Sequence, residues 1–275
     1  MSPSNRRPVR RTPPPTLAPV HPNQGVQAQF RRRLLALIDE MQKSVVADIT
    51  ALYPGGNPQL AQDAPQDVHR LRWEMDRLGR RWLDRFDVAA KEMAAYFALA
   101  AKDRVDSAMA ASLRKAGISV RFQVTPAIQE ALDATITENV SLIRSIAQQH
   151  LGHVEQLVMR SVTAGRDVGG LKKALHEQLG VTQRRAATIA RNQNNMATAT
   201  VCRARQQELG IKKAIWVHSS AGRHPRPEHV AANGKEYDVD KGMWLEQRWT
   251  WPGREINCRC VSRSIIPGLQ RPTAV

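Results

Sequence analysis

The chain has 275 residues, of which 42% are hydrophobic and 5% aromatic, and its formal net charge is +16 at pH 7 with a pI near 10.7. No apolar run approaches the ~20 residues of a membrane-spanning helix, no signal-peptide pattern is present, and three cysteines are too few for a disulfide framework. We therefore expect a soluble, intracellular protein. Its charge favours contact with polyanions, nucleic acid first, over a basic surface that serves only solubility.

The N-terminal segment is rich in proline and arginine, with Pro13, Pro14 and Pro15 in a row. Such a composition buries too little apolar surface to offset the entropy of ordering the chain, so we predict a disordered arm over residues 1–26. An arm of this kind is suited to lie along phosphates. Its candidate nucleic-acid contacts are Arg6, Arg7, Arg10 and Arg11.

Two long helices are predicted after the arm. Apolar residues from Phe30 to Ile49 recur at three- and four-residue steps and predict the first helix, which the Pro- and Gly-rich residues 54–58 end. A longer stripe predicts a second helix from Val68 to Gly117, a residue typical of helix ends. Helices well above the average length indicate packing in a bundle or coiled coil.

A third helix is predicted to begin at Thr125, as N-cap, with Pro126 at the first helical position, and to run to about Arg160. We then predict a short helix over residues 171–179, closed by Gly180, and a separate helix capped by Thr182 that ends near residue 209. This last helix supplies further candidate nucleic-acid contacts: Arg184, Arg185, Arg191 and Arg203.

The middle of the same helix carries consecutive Asn and Gln side chains over residues 192–195. These are poor helix formers, and we expect them to hydrogen-bond a neighbouring segment rather than to perform chemistry.

The remaining residues have strand and turn signals instead of helical periodicity. Short strands are predicted over residues 212–218, 236–239, 248–251 and 257–265. The predicted fold is thus mainly α, a long-helix bundle body followed by a small α+β C-terminal module. Its divisions are a disordered arm over 1–26, a helical body over 27–210, the module over 211–268 and a tail over 269–275.

The module contains the one dense group of soft metal ligands in the sequence. Cys258 and Cys260 are separated by one residue, and the turn signal Asn233-Gly234 can fold His229 back towards them. Either His224 or His218 could complete a four-ligand zinc site. The alternative is a set of loop histidines and two packed thiols.

A metal-dependent nuclease is a second interpretation of these residues. Such enzymes use a His general base beside an Asn and a second His that hold a divalent ion, and His224, His229, Asn233 and Asn257 supply the residue types. Acidic ligands are sparse nearby, and the spacing fits no nuclease motif. Catalysis is therefore the weaker interpretation.

Several short motifs resemble the phage head morphogenesis family, the Mu F-like minor head proteins, over about residues 171–266. The motifs that carry the similarity are Ala190-Arg191-Asn192-Gln193, Ile215-Trp216-Val217, Arg226-Pro227-Glu228-His229, Asn233-Gly234-Lys235 and Asn257-Cys258-Arg259-Cys260. Many members have Cys-x-x-Cys where this chain has Arg226 and His229, and a His where it has Glu255. The metal ligands that the resemblance leaves in place are His229, Cys258 and Cys260.

The resemblance implies a structural minor head protein, not an enzyme, that acts in procapsid assembly at the portal vertex inside the capsid. Its implied partners are the portal protein, the major capsid or scaffold protein and packaged double-stranded DNA, with no membrane contact and several copies arranged by portal symmetry. The implied location is the interior of the virion head, and the host cytoplasm during assembly. The alternatives are the nuclease and a zinc-stabilised adaptor module.

Overall fold

The computed structural model describes residues 15–52, 65–164, 167–220, 222 and 224–266. Four long helices form a bundle, and a small mixed module follows them, so the predicted fold class is confirmed. None of the helices in this described part combines the length and apolar character needed to cross a membrane. The bundle helices are α1 (Gln24–Ala51), α2 (Pro65–Lys115), α3 (Pro126–Thr163) and α4 (Val168–Glu208).

The helices begin at polar caps that the local sequence supplies. The Asn23 side chain accepts a hydrogen bond from the backbone N–H of Val26 at the start of α1. At the start of α3, Thr125 is the N-cap and accepts from the backbone N–H of Ile128, with Pro126 in the first turn, as predicted. These caps satisfy backbone donors that otherwise have no partner within the helix.

The predicted break between two helices at Gly180 and Thr182 is wrong. α4 runs without interruption through both residues, and its N-cap is Asp167. Thr182 is buried, and its hydroxyl donates to the carbonyl of Gln178 in the preceding turn instead of capping a new helix. Burial of the flanking side chains Leu175 and Ala186 against the bundle outweighs the cost of a helical glycine, about 1 kcal/mol.

Two hydrophobic clusters lie along the bundle. The first joins all four helices and includes Leu34 of α1, Phe86 of α2 and Val154 of α3. The second joins the last third of α2 and the end of α4 to the C-terminal module, with Met109 and Trp216 among its fully buried side chains. The predicted boundary at residue 210 marks the end of α4, but hydrophobic packing continues across it.

Residues 15–26 do not form the disordered arm predicted for them. Thr16 bridges Ile265 in antiparallel fashion, and the backbone N–H of Leu17 donates to the carbonyl of Ser264. Leu17 and Val20 are buried in the second cluster. Burial of these two side chains and pairing with the sheet stabilise the segment. Together they offset the conformational entropy lost when the segment becomes ordered. Residues 1–14, with the four arm arginines, lie outside the described residues.

The C-terminal module consists of a three-stranded antiparallel sheet, a two-stranded hairpin and one short helix. The elements are β1 (Lys213–Val217), α5 (Pro227–Ala231), β2 (Glu236–Asp238), β3 (Met243–Leu245), β4 (Arg248–Thr250) and β5 (Val261–Ser264). In the sheet, the order is β2-β1-β5, and Trp216 lies opposite Ser262. Three of the four predicted strands begin within one residue of their observed start, whereas the fourth starts at Val261 because residues 257–260 form a loop.

Candidate metal centre

A tight turn after α5 places His229 beside the end of β1. Gly234 has φ +80°, and its backbone N–H donates to the carbonyl of Trp216, while the N–H of Trp216 donates to the carbonyl of Lys235. The side-chain oxygen of Asn233 accepts from the backbone N–H of His218. The Asn233-Gly234 turn thus holds His229 next to the end of β1.

The loop that precedes β5, residues 252–260, holds both cysteines and is anchored to α4. The Asn192 side chain accepts from the backbone N–H of Asn257 at 3.0 Å, and the Asn195 amide donates to the carbonyl of Cys258 at 2.8 Å. Asn257 has φ +61°, a conformation that Asn tolerates better than most residues. The expected hydrogen bonding from the polar cluster of α4 to a neighbouring segment is confirmed.

The two cysteines and His229 converge because the loop bends there. The Cys258 sulphur lies 3.5 Å from Nδ1 of His229, and the Cys260 sulphur lies 3.8 Å from the same atom. All three potential ligand atoms lie within 4.8 Å of one another. The three residues are only 2–4% exposed. The sequence therefore brings a His and two thiols into one buried cluster.

His218 and His224 lie at different places relative to this cluster. Nδ1 of His218 is 3.5 Å from the sulphur of Cys260, and the residue is half-buried at the end of β1. His224 is exposed and lies outside the group of three, although it lines the same cavity of about 190 Å³. Of the two histidines that sequence reasoning offered as a fourth ligand, His218 is the one that contacts a thiol.

Aromatic side chains enclose the inner side of the cluster. The indole of Trp216 is fully buried and meets the His229 ring edge-on, with 5.1 Å between ring centroids. Tyr237 packs on the far side of the same indole, and burial raises the pKa of its hydroxyl. The cluster thus has an apolar, water-poor wall, which strengthens electrostatic interactions inside it.

The two thiols of the cluster differ in acidity. A hydrogen bond to Cys260, together with burial, raises the pKa of Cys258 to about 12. The same hydrogen bond, against the effect of burial, lowers the pKa of Cys260 to about 7. By contrast, burial alone raises the pKa of Cys202, on α4, to about 12. The pair can therefore carry one thiolate near neutral pH, and thiolate is the form that binds metals.

The geometry of the cluster fits a tetrahedral zinc site. Zn–S bonds of about 2.3 Å and Zn–N bonds of about 2.0–2.1 Å at tetrahedral angles place N and S ligands about 3.6 Å apart. The two distances from Nδ1 of His229 are 3.5 and 3.8 Å. Thiolate and imidazole donors also match the softness of zinc better than that of magnesium or calcium.

Two positions at which the resemblance leads us to expect other ligands, Arg226 and Glu255, are engaged here in ion pairs. The Arg226 guanidinium lies 3.1 Å from a carboxylate oxygen of Glu246 at the hairpin turn. Glu255 accepts from the Thr250 hydroxyl and pairs with Arg248 of β4. These contacts fasten the hairpin to α5 and to the cysteine loop, so these two positions contribute to packing in this chain.

The four candidate nucleic-acid arginines of α4 have different surroundings. Arg185 donates to the Ser145 hydroxyl, and Arg191 donates to the Asn257 side chain. Arg203 stacks over the Trp251 ring at 3.8 Å, and burial lowers its pKa. Arg184 alone of these four is exposed, on the rim of a groove between α3 and α4. The contacts of the other three with neighbouring segments reduce what they can offer to a phosphate backbone.

Sequence reasoning missed the side chains that join the sheet to the helical body. Gln206 of α4 is buried, and its amide donates to the hydroxyls of both Ser262 and Ser264 in β5. Arg205, also buried, makes a two-bond contact with Asp106 of α2. Both are long polar residues in a polar helix, a context in which sequence alone predicts exposure.

Comparisons with known proteins agree with the resemblance inferred from these motifs. Residues 152–263 match the family model described as Phage Mu protein F like protein, so the resemblance is confirmed over that segment. An uncharacterized protein of Haemophilus influenzae is 30% identical over 149 residues, which are 54% of this chain and 32% of that protein. The chain thus spans about a third of the length of this relative. No solved structure matches the chain.

Proposed function

We propose that this chain, whose residues 152–263 fall within the Phage Mu protein F like family, is a structural minor head protein that acts in phage head assembly. The family match carries the proposal. The matched segment contains all of α4 and nearly the whole C-terminal module, and the end of α4 shares one hydrophobic cluster with the module. We assign the long bundle to packing against the portal ring and the capsid or scaffold proteins, in several copies arranged by portal symmetry inside the head.

Contact with packaged double-stranded DNA is part of the proposal. The charge of +16 supports it, as do the four arginines of residues 1–14, a segment without an acidic residue. On α4, the exposed residues Lys172, His176 and Arg184 form a stripe that spans about 120° around the helix axis. This stripe and the N-terminal arginines are the proposed phosphate contacts.

Salt dependence of binding tests the DNA contact. Fluorescence anisotropy with a mixed-sequence duplex should show affinity that falls steeply with salt, because each phosphate contact adds about −0.9 to the slope of log K against log salt. Arg184→Ala should flatten the slope by about 0.9, and joint replacement of Arg6, Arg7, Arg10 and Arg11 should flatten it by up to about 3.6. A control is Arg81→Ala, because Arg81 is already paired with Asp48. Salt-independent binding, or equal slopes in all variants, contradicts the proposal.

Assembly is tested by co-purification. When the chain is expressed together with the portal and capsid genes of the same phage, it should sediment with assembled heads and remain with isolated portal rings. Deleting the chain should reduce the yield of heads that package DNA. A chain that stays at the top of the gradient while normal heads form contradicts the structural role.

The nuclease alternative has weaker support from the geometry. His229 faces two thiols, the side-chain oxygen of Asn233 accepts from the backbone of His218, and that of Asn257 accepts from Arg191. All three are therefore engaged in contacts within the module. Supercoiled plasmid incubated with the protein and magnesium or manganese should stay intact. Nicking that disappears in His229→Ala would favour the enzyme over the structural protein.

A further inference from the structure

We propose that His229, Cys258, Cys260 and His218 form a zinc site that is structural, closed by four protein ligands, and fastens the C-terminal module. This site is independent of the DNA and portal contacts proposed above. It uses neither the exposed stripe of α4 nor the N-terminal arginines.

Three of the ligands are already in place. The distances of 3.5 and 3.8 Å from Nδ1 of His229 to the two sulphurs are those of ligands around one tetrahedral ion. The three atoms come from two segments that are 29 or 31 residues apart, so local chain geometry alone does not bring them together. The distances therefore match those expected between the ligands of a preformed zinc site.

The second ring nitrogen of His229 shows what it costs to hold the ring in this position. Nε2 is buried and has no hydrogen-bond partner in the described part of the chain. With Nδ1 as acceptor towards a thiol, Nε2 carries the proton, and leaving that donor unpaired costs about 1–3 kcal/mol. A bond from Nδ1 to zinc stabilises this ring position far more than a thiol contact does. The burial of an unpaired N–H is therefore offset when the metal binds.

His218 is the fourth ligand by position. Its Nδ1 lies 3.5 Å from the sulphur of Cys260, and its backbone is fixed by the hydrogen bond to the Asn233 side chain. His218 lies outside the group of three residues whose ligand atoms are within 4.8 Å of one another, so its half-buried ring has to turn for Nδ1 to complete the site. His224 is exposed and lacks a contact of this kind with a sulphur among the described residues.

The site ties three segments to α4. His218 directly follows β1, His229 lies on α5, and the cysteines lie in the loop that Asn195 holds through the carbonyl of Cys258. Four protein ligands leave no open coordination position for a substrate or a water molecule, which is the arrangement of structural zinc sites. The metal should therefore contribute folding free energy to the module and no catalysis.

Metal analysis of the reduced full-length protein tests the proposal. Protein purified with zinc and then desalted should hold about one zinc per chain, and Cys258→Ser should lose it. Cobalt substitution should give thiolate-to-metal charge-transfer absorption and the visible bands of four-coordinate cobalt. Full-length protein treated with a strong chelator should melt at a lower temperature and recover on zinc addition.

Matched variants separate the ligands from their neighbours. His218→Asn should keep the thiolate charge-transfer band but weaken zinc binding by at least ~10-fold and reduce the four-coordinate character of the cobalt bands. Cys202→Ser and His224→Asn should bind zinc and cobalt as the wild type does. Wild-type protein that binds neither metal, or cobalt spectra without thiolate bands, overturns the site. Weakened binding in His224→Asn but not in His218→Asn overturns the fourth ligand.

Discussion

His150 makes the stability of the bundle depend on pH in a way that the structure specifies. The residue lies on α3, is 1% exposed, and its Nδ1 is 2.9 Å from the Thr182 hydroxyl oxygen on α4. Thr182 donates its own hydrogen to the carbonyl of Gln178, so Nδ1 of His150 is the donor in this pair. Nε2 is then an unprotonated nitrogen, buried with no partner in the described part of the chain. Burial, followed by repulsion from His153, lowers the pKa of His150 to about 4.

The direction of the pH effect follows from the two states. Between the unfolded value of 6.5 and the folded value of about 4, the unfolded chain binds a proton that the folded chain does not. The free energy of unfolding therefore falls as pH falls through this window, by about 1.4 kcal/mol per pH unit. At about pH 4.5 the loss due to His150 amounts to about 2.5 kcal/mol relative to neutral pH.

Urea unfolding of wild type and His150→Leu, at neutral pH and at about pH 4.5, measures this loss. His150→Leu should lose about 2.5 kcal/mol less than wild type on acidification, because the side chain that takes up a proton on unfolding is gone. His153→Gln is the control, since His153 is exposed, and it should lose nearly as much as wild type. An equal loss in wild type and His150→Leu would refute the assignment of a neutral His150 with a buried, unpartnered Nε2.

Two other substitutions test the contacts that join the elements. Asp106→Ala removes the carboxylate that accepts two hydrogen bonds from the buried Arg205, and it should lower the free energy of unfolding in urea by about 3 kcal/mol. The control is Arg81→Ala, which breaks an exposed ion pair with Asp48 and should lower the free energy of unfolding by less than about 1 kcal/mol. Equal costs would contradict the buried ion pair. Asn195→Ala leaves the buried carbonyl of Cys258 without its donor and should cost about 1–3 kcal/mol, with faster amide exchange in residues 257–260. Unchanged exchange there would show that the amide does not hold the loop.

The helices could be predicted from sequence where their signals are local. Thr125 and Pro126 mark a helix start through contacts within one turn, and the structure has this cap. The break predicted at Gly180 is wrong because side chains of other helices bury both sides of that glycine, and such packing is not readable from neighbours in sequence. Leu17 and Val20 were missed for a similar reason. The backbone N–H of Leu17 donates to the carbonyl of Ser264 at the end of β5, and that of Ala18 donates to the Ser112 hydroxyl of α2, 94 residues away.

The candidate site was predictable in its residue types but not in its shape. The density of His and Cys residues and the Asn233-Gly234 turn locate His229, Cys258 and Cys260 from sequence alone. The convergence of the two cysteines depends on the positive φ of Asn257 and on the hydrogen bond that its backbone N–H donates to Asn192. Because Asn192 lies on α4, over sixty residues earlier in the chain, the local sequence does not reveal this contact. The nucleic-acid contacts predicted on α4 were less accessible than their charge in the sequence suggested. Arg191, for example, donates its guanidinium to the Asn257 side chain of the folded module.

An averaged electron cryomicroscopy map of assembled heads, centred on the portal vertex, tests the central claim most directly. We expect density inside the shell, in contact with the portal ring and repeated by its symmetry, into which the α1–α4 bundle and its module fit together. Heads that package DNA and lack the chain altogether, or density for it only on the outer face of the shell, would show that the chain is not an internal head protein at the portal.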